Sequence, residues 1–166
     1  LVDFSAGDLS VFTFNRHLYQ PLIYKGRGGL KVSIKPAALN KHERQFLLDL
    51  KKWCAAEEDK FLADKELYVL RNQSRGRGIS FFEDGGFYPD FILWLIVDDH
   101  QFITFVAPHG LVHSRIASDA KVQFSKRIKE IQRVRLPDPD VTLNSFILSP
   151  TPYATLSPSD EDHSKE

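Results

Sequence analysis

Methionine is absent from the 166 residues, cysteine occurs once, and no apolar run reaches the roughly 18 residues needed to span a bilayer. Each absence excludes something. The lone Cys54 rules out an internal disulfide and a cysteine-based zinc site, and it favours an intracellular setting. A chain without methionine that opens on Leu1-Val2-Asp3-Phe4 reads as a piece of a larger protein, with part of its function on the missing portion. No Gly-x-x-x-x-Gly-Lys-Ser/Thr run is present, so this piece is not itself an ATP-driven motor. A serine nucleophile elbow and a His-Glu-x-x-His zinc helix are missing as well. Membrane partners are not expected.

What is present suits one domain. Hydrophobic residues make up 42% and charged residues 27%, enough to build a core and a solvated surface. The formal net charge of zero hides an uneven distribution. Residues 1–135 hold 21 Lys+Arg against 16 Asp+Glu, whereas residues 136–166 hold one lysine against six acids. A mildly basic body with an acidic tail is compatible with nucleic-acid binding, and equally with an ordinary mixed surface.

Periodicity sets the order of elements. Residues 1–35 read as a β-rich leader: Val11-Phe12-Thr13-Phe14 alternates, and Leu30 to Ile34 does so more cleanly. Asn40 is a favoured N-cap with Glu43 three residues on, a capping box opening a helix. Phe46, Leu47, Leu50, Trp53 and Cys54 form its apolar stripe, which ends in Glu57-Glu58-Asp59. Strands are predicted over Glu66–Arg71, Pro89–Val97 and Gln101–Val106, the last two joined as a hairpin by the tight turn at Asp98-Asp99-His100. The segment from Pro89 is apolar on both faces, like a central strand. A basic helix follows from Ser118 or Asp119 to about Arg135, stopped by Pro137 and Pro139. Val141 to Leu148 is a final strand, and residues 151–166 form an acidic tail with the composition of a disordered segment. The expected domain is therefore 1–150, with the core over about 36–148. Its class is α/β (α+β mixed), a central mixed β-sheet flanked by helices.

Phosphodiester hydrolysis needs a divalent ion to polarise the phosphate and acidify a water, and magnesium takes hard oxygen ligands for this. A hairpin supplies them well: one carboxylate where its first strand starts, a second where its partner strand ends, and a basic group two residues later. Pro89-Asp90 before the apolar strand and Ala107-Pro108-His109 after the hairpin resemble the PD-(D/E)xK nuclease superfamily. Three runs are similar, more narrowly, to the C-terminal endonuclease region of superfamily-2 helicases and type III restriction proteins. They are Ile34-Lys35-Pro36 with Leu39-Asn40, Glu43 and Phe46; Val69-Leu70-Arg71-Asn72; and Phe87-Tyr88-Pro89-Asp90-Phe91-Ile92. The resemblance covers roughly residues 30–135. It implies a restriction-endonuclease-like core acting on DNA with Mg2+ or Mn2+. It also implies a helicase/ATPase region in the same or a partner protein, and a role in bacterial defence in the cytoplasm.

Carried over residue by residue, the resemblance makes Asp90 the first metal-binding acid, although Pro-Asp is also a common turn pair. Glu43 matches a helix-borne glutamate near the metal, although the capping box explains it without chemistry. The Pro108 carbonyl becomes a metal ligand. His109 stands where the family places lysine; it can hydrogen-bond a phosphate or water and titrates near neutral pH. Ala107 departs from the family at the second acid, because a methyl binds no cation. Either the site is a natural degenerate or an Asp or Glu was replaced, and the survival of the surrounding features favours replacement. DNA contacts are expected from Arg71, Asn72, Arg75 and Arg77 around a glycine-rich run, and from Lys126 and Lys129 on the second helix. Three readings follow: a magnesium-dependent endonuclease domain whose chain is inactive as written, a DNA-binding module that positions DNA for a helicase, or a protein-interaction domain.

Overall fold

The structure is a computed structural model that describes residues 4–6, 9–12, 17–18, 22–26, 37–72, 88–108 and 120–148. Four short strands come first: β1 (Phe4–Ala6), β2 (Leu9–Phe12), β3 (His17–Leu18) and β4 (Leu22–Lys25). Helix α1 (Lys41–Glu57) leads into β5 (Lys65–Arg71), β6 (Phe91–Val97) and β7 (His100–Ala107). Helix α2 (Ala120–Arg135) and β8 (Val141–Ile147) complete the described chain. This is the anticipated order of leader, helix, three strands, helix and strand.

The main sheet has the order β3-β5-β6-β7-β8. Strands β5, β6 and β7 form an antiparallel meander, while β8 runs parallel to β7. A parallel neighbour needs a long crossover, and α2 lies within the one that joins β7 to β8. Asp98, at φ 52°, begins the turn between β6 and β7, which Asp and Asn tolerate better than most residues. The leader is less separate than its sequence suggests. Strands β1, β2 and β4 make their own antiparallel sheet, yet β3 pairs with β5 in the main sheet, and Leu22 and Leu39 enter the core. The expected strand over Leu30–Ile34 lies outside the described residues.

The alternation of β6 explains why it is apolar throughout. Phe91 and Leu93 face a cluster built with Leu22, Leu39, Leu47, Val69 and Val106, on the α1 side. Ile92 and Trp94 face a second cluster with Phe105, Ala107, Phe124, Ile128 and Leu143, on the α2 side. Both faces are covered, so no position of the strand is free to be polar without cost. Only part of the expected α1 stripe is interior: Leu47 is fully buried, whereas Trp53 remains 42% exposed and packs on Phe61.

Strand β8 is the outer strand beside β7, and α2 occupies its free backbone groups. Gln132 donates through Nε2 to the Val141 carbonyl (2.7 Å) and accepts from the Leu143 N–H (2.9 Å). Lys129 donates to the Leu143 carbonyl (2.6 Å) and to Asn144 Oδ1 (2.8 Å). A strand edge satisfied in this way presents less of a template for pairing with another chain.

Candidate functional site

The register gathers the chemically interesting residues at one end of the main sheet. Arg71 of β5 is paired with Phe91 of β6, Phe91 with Val106 of β7, and Val106 with Phe146 of β8. The row marks where β5 and β7 finish and β6 begins. Arg75, Arg77 and His109 lie outside the described residues.

The N-terminus of α1 meets the same end. Asn40 accepts the N–H groups of His42 (2.8 Å) and Glu43 (2.9 Å), while Glu43 Oε2 accepts the Asn40 N–H (2.8 Å). The capping box is therefore complete. The same Glu43 oxygen lies 3.6 Å from Arg71 Nη2, with side-chain exposures of 13% and 11%. Oε2 thus meets a backbone N–H on one side and a guanidinium on the other.

Asp90 arrives at this cluster through an irregularity in the hairpin. Val106 is the register partner of Phe91, yet its carbonyl also receives the Asp90 N–H (3.0 Å). Two residues of one strand set against one of the other is the arrangement of a β-bulge, which re-aims a side chain. Asn72 secures the other flank, with its N–H on the Asp90 carbonyl (2.9 Å) and its Nδ2 on the Pro89 carbonyl (2.8 Å). Pro89 is fully buried, which fixes the chain just before the bulge. Asp90 Oδ2 is buried too, and the Asp90 charge acts on Arg71. Burial pulls the Arg71 guanidinium below its ordinary pKa, while the charges of Glu43 and Asp90 push it back up. An arginine starts so far above neutrality that it stays charged. One cation thus serves two carboxylates.

Ala107 belongs to the other side of the sheet. Its methyl is 0% exposed in the α2-side cluster with Ile92, Phe105, Phe124 and Ile128. Val106, its neighbour, points to the α1 side with Phe91. A carboxylate in place of the Ala107 methyl would enter an apolar cluster rather than the Glu43–Arg71 face, and would carry a large desolvation cost. Pro108 is buried and lines a groove with His42, Phe46 and Leu148 beside α1.

The DNA-contact residues divide. Arg71 is engaged with carboxylates, Asn72 with the backbone around Asp90, and Lys129 with β8. Lys126 falls within α2, with its side chain outside the described set. Arg127 and Arg133 are exposed on the same helix. The role of Arg71 as an internal counter-ion was missed in the sequence, although its position two residues after the core residue Val69 placed it on the α1 side.

Among the described residues, no three His, Cys, Asp or Glu side chains come together as a metal-ligand group. Glu43 is already paired with the Arg71 guanidinium, on which the Asp90 charge also acts. Comparison with protein-family models, with curated proteins and with solved structures finds no match to this chain.

Proposed function

We propose that this domain is a nuclease-type fold that binds DNA through its phosphates without cutting it. The observation that carries the reading is the convergence of Asp90, Arg71, Asn72 and Glu43 at one sheet end, with position 107 holding a buried methyl. The helix–three strands–helix–strand order and the placing of Pro89-Asp90 at the mouth of a hairpin support kinship with the PD-(D/E)xK group. The internal pairing of Glu43 with Arg71 and with the Asn40 N–H supports the binding reading.

Affinity in this reading comes from basic residues other than the internally paired Arg71. Arg75 and Arg77 follow Asn72 in the chain, Lys41 is exposed on the first turn of α1, and Arg127 and Arg133 are exposed on α2. Contacts of this kind position a duplex and carry little sequence information. A helicase/ATPase region, in the same protein or a partner, would supply the motor that the fold lacks, and the DNA would be held for it.

The deciding measurement is DNA binding by fluorescence anisotropy across a salt series, with plasmid cleavage followed in Mg2+ and in Mn2+. The expected result is an affinity that falls steadily with salt and an uncut plasmid. Absence of salt-dependent binding would overturn the proposal, as would cleavage by the chain as it stands. A folded Ala107→Asp or Ala107→Glu protein that gains metal-dependent cleavage would transfer the conclusion to the endonuclease reading.

A further inference from the structure

The Glu43 and Asp90 carboxylates lie where the family resemblance calls for a divalent ion, and the structure puts an arginine with them. Arg71 reaches that position from β5 because its side chain alternates onto the α1 side, two residues beyond the buried Val69. Its guanidinium is 3.6 Å from Glu43 Oε2, with 11% of the side chain exposed. Asp90, whose N–H is held by the Val106 carbonyl, has a buried Oδ2, and its charge acts on the Arg71 guanidinium. A long flexible cation is seldom held this deeply unless its charge is matched.

We infer that Arg71 is the resident cation of this site: it holds the charge position shared by Glu43 and Asp90, and it excludes a divalent metal from the folded chain. The argument is one of competition. A fixed guanidinium and a divalent ion cannot both occupy the space between two carboxylates, because like charges at such short range repel strongly in a partly desolvated setting. The arginine carries no entropic cost of capture from solution, since folding has already placed it. The metal would also have to displace the Asn40 N–H from Glu43 Oε2 to use that oxygen fully. Folding of this end of the sheet is accordingly independent of metal, in contrast to a site whose acids repel each other until an ion arrives.

The inference shares only its location with the DNA-binding proposal. Metal response and salt-dependent DNA retention are measured separately, so the failure of one leaves the other standing.

The test uses Mn2+ as probe, with thermal unfolding and isothermal calorimetry as readouts, on the full chain, on Arg71→Gln and on Arg71→Gln combined with Asp90→Asn. The unaltered chain is expected to show no Mn2+-dependent rise in its unfolding midpoint at millimolar metal. Arg71→Gln is expected to unfold at a lower temperature without metal, and to recover at least half of that loss on adding Mn2+. The added Asp90→Asn change should abolish the recovery. Arg71→Lys keeps a charge in place and should remain unresponsive. If Arg71→Gln does not fold alone, refolding in Mn2+ replaces the thermal comparison: recovery of native circular dichroism supports the inference, and no recovery overturns it. A clear Mn2+ stabilisation of the unaltered chain also overturns it, as does an Arg71→Gln protein that folds and binds no metal.

Discussion

Phe91 and Ile92 are neighbours in β6, yet they face opposite sides of the sheet and lead to different chemistry. On the Phe91 side, the apolar cluster runs out at Arg71, Glu43 and Asp90, so the last row of the sheet is closed by charge. On the Ile92 side, apolar contact continues to the last residue of β7, where Ala107 packs with Phe105, Phe124 and Ile128. Polar groups on that side serve the strand edge instead, through Lys129 and Gln132. The same alternation of a strand can thus finish in a charged cluster on one face and an apolar core on the other. The bulge at Asp90 decides which face the acid joins.

The comparison is broken most directly at position 107. Ala107→Asp is expected to destabilise the domain by about 3–5 kcal/mol at neutral pH, the range seen when a buried charge lacks a partner. Burial raises the folded-state pKa of the introduced carboxyl above its unfolded value of about 3.9. The penalty is therefore complete above the folded pKa and fades as pH falls toward the unfolded one. Denaturant titrations at several pH values measure it. A loss below about 1 kcal/mol would mean that the side chain escapes the cluster, and position 107 would then rejoin the candidate site.

A smaller effect sharpens the α2 side. Gln132→Ala removes two bonds to β8, to the Val141 carbonyl and the Leu143 N–H, and is expected to cost about 2 kcal/mol. Hydrogen exchange should quicken at the Leu143 amide while the amides shared by β5 and β6 stay protected. Uniform loss of protection across the sheet would contradict the view that this residue acts on the edge alone.

Much of this was legible in the sequence. The capping box at Asn40 and Glu43, the helical stripe through Leu47, the hairpin turn at Asp98 and the order of elements all follow from local rules, and local rules are what a single sequence displays. Two features were not legible there. The bulge depends on which carbonyl the Asp90 N–H finds, and a one-residue irregularity leaves no trace in periodicity. The partner of Arg71 depends on how α1 lies over β5, so an arginine that reads as a DNA contact is spent internally. The bonds of Lys129 to Leu143 and Asn144 are likewise set by tertiary packing and have no local signal.

Glu43 gives the finest test, because it belongs to both accounts. Were it only a cap, Glu43→Gln would be nearly neutral, since an amide oxygen accepts the Asn40 N–H as a carboxylate does. Because it also faces Arg71, the change should cost about 1 kcal/mol and leave Asp90 as the only carboxylate of the pair on that cation. Asn40→Ala should cost a similar amount, about 1 kcal/mol, through the lost cap alone. The two are distinguished by a double-mutant cycle with Arg71→Gln: the Glu43→Gln penalty should shrink in the Arg71→Gln background while the Asn40→Ala penalty holds. Equal penalties in both backgrounds would return Glu43 to a purely structural role, and the closing charge of the α1 side would then rest on Asp90.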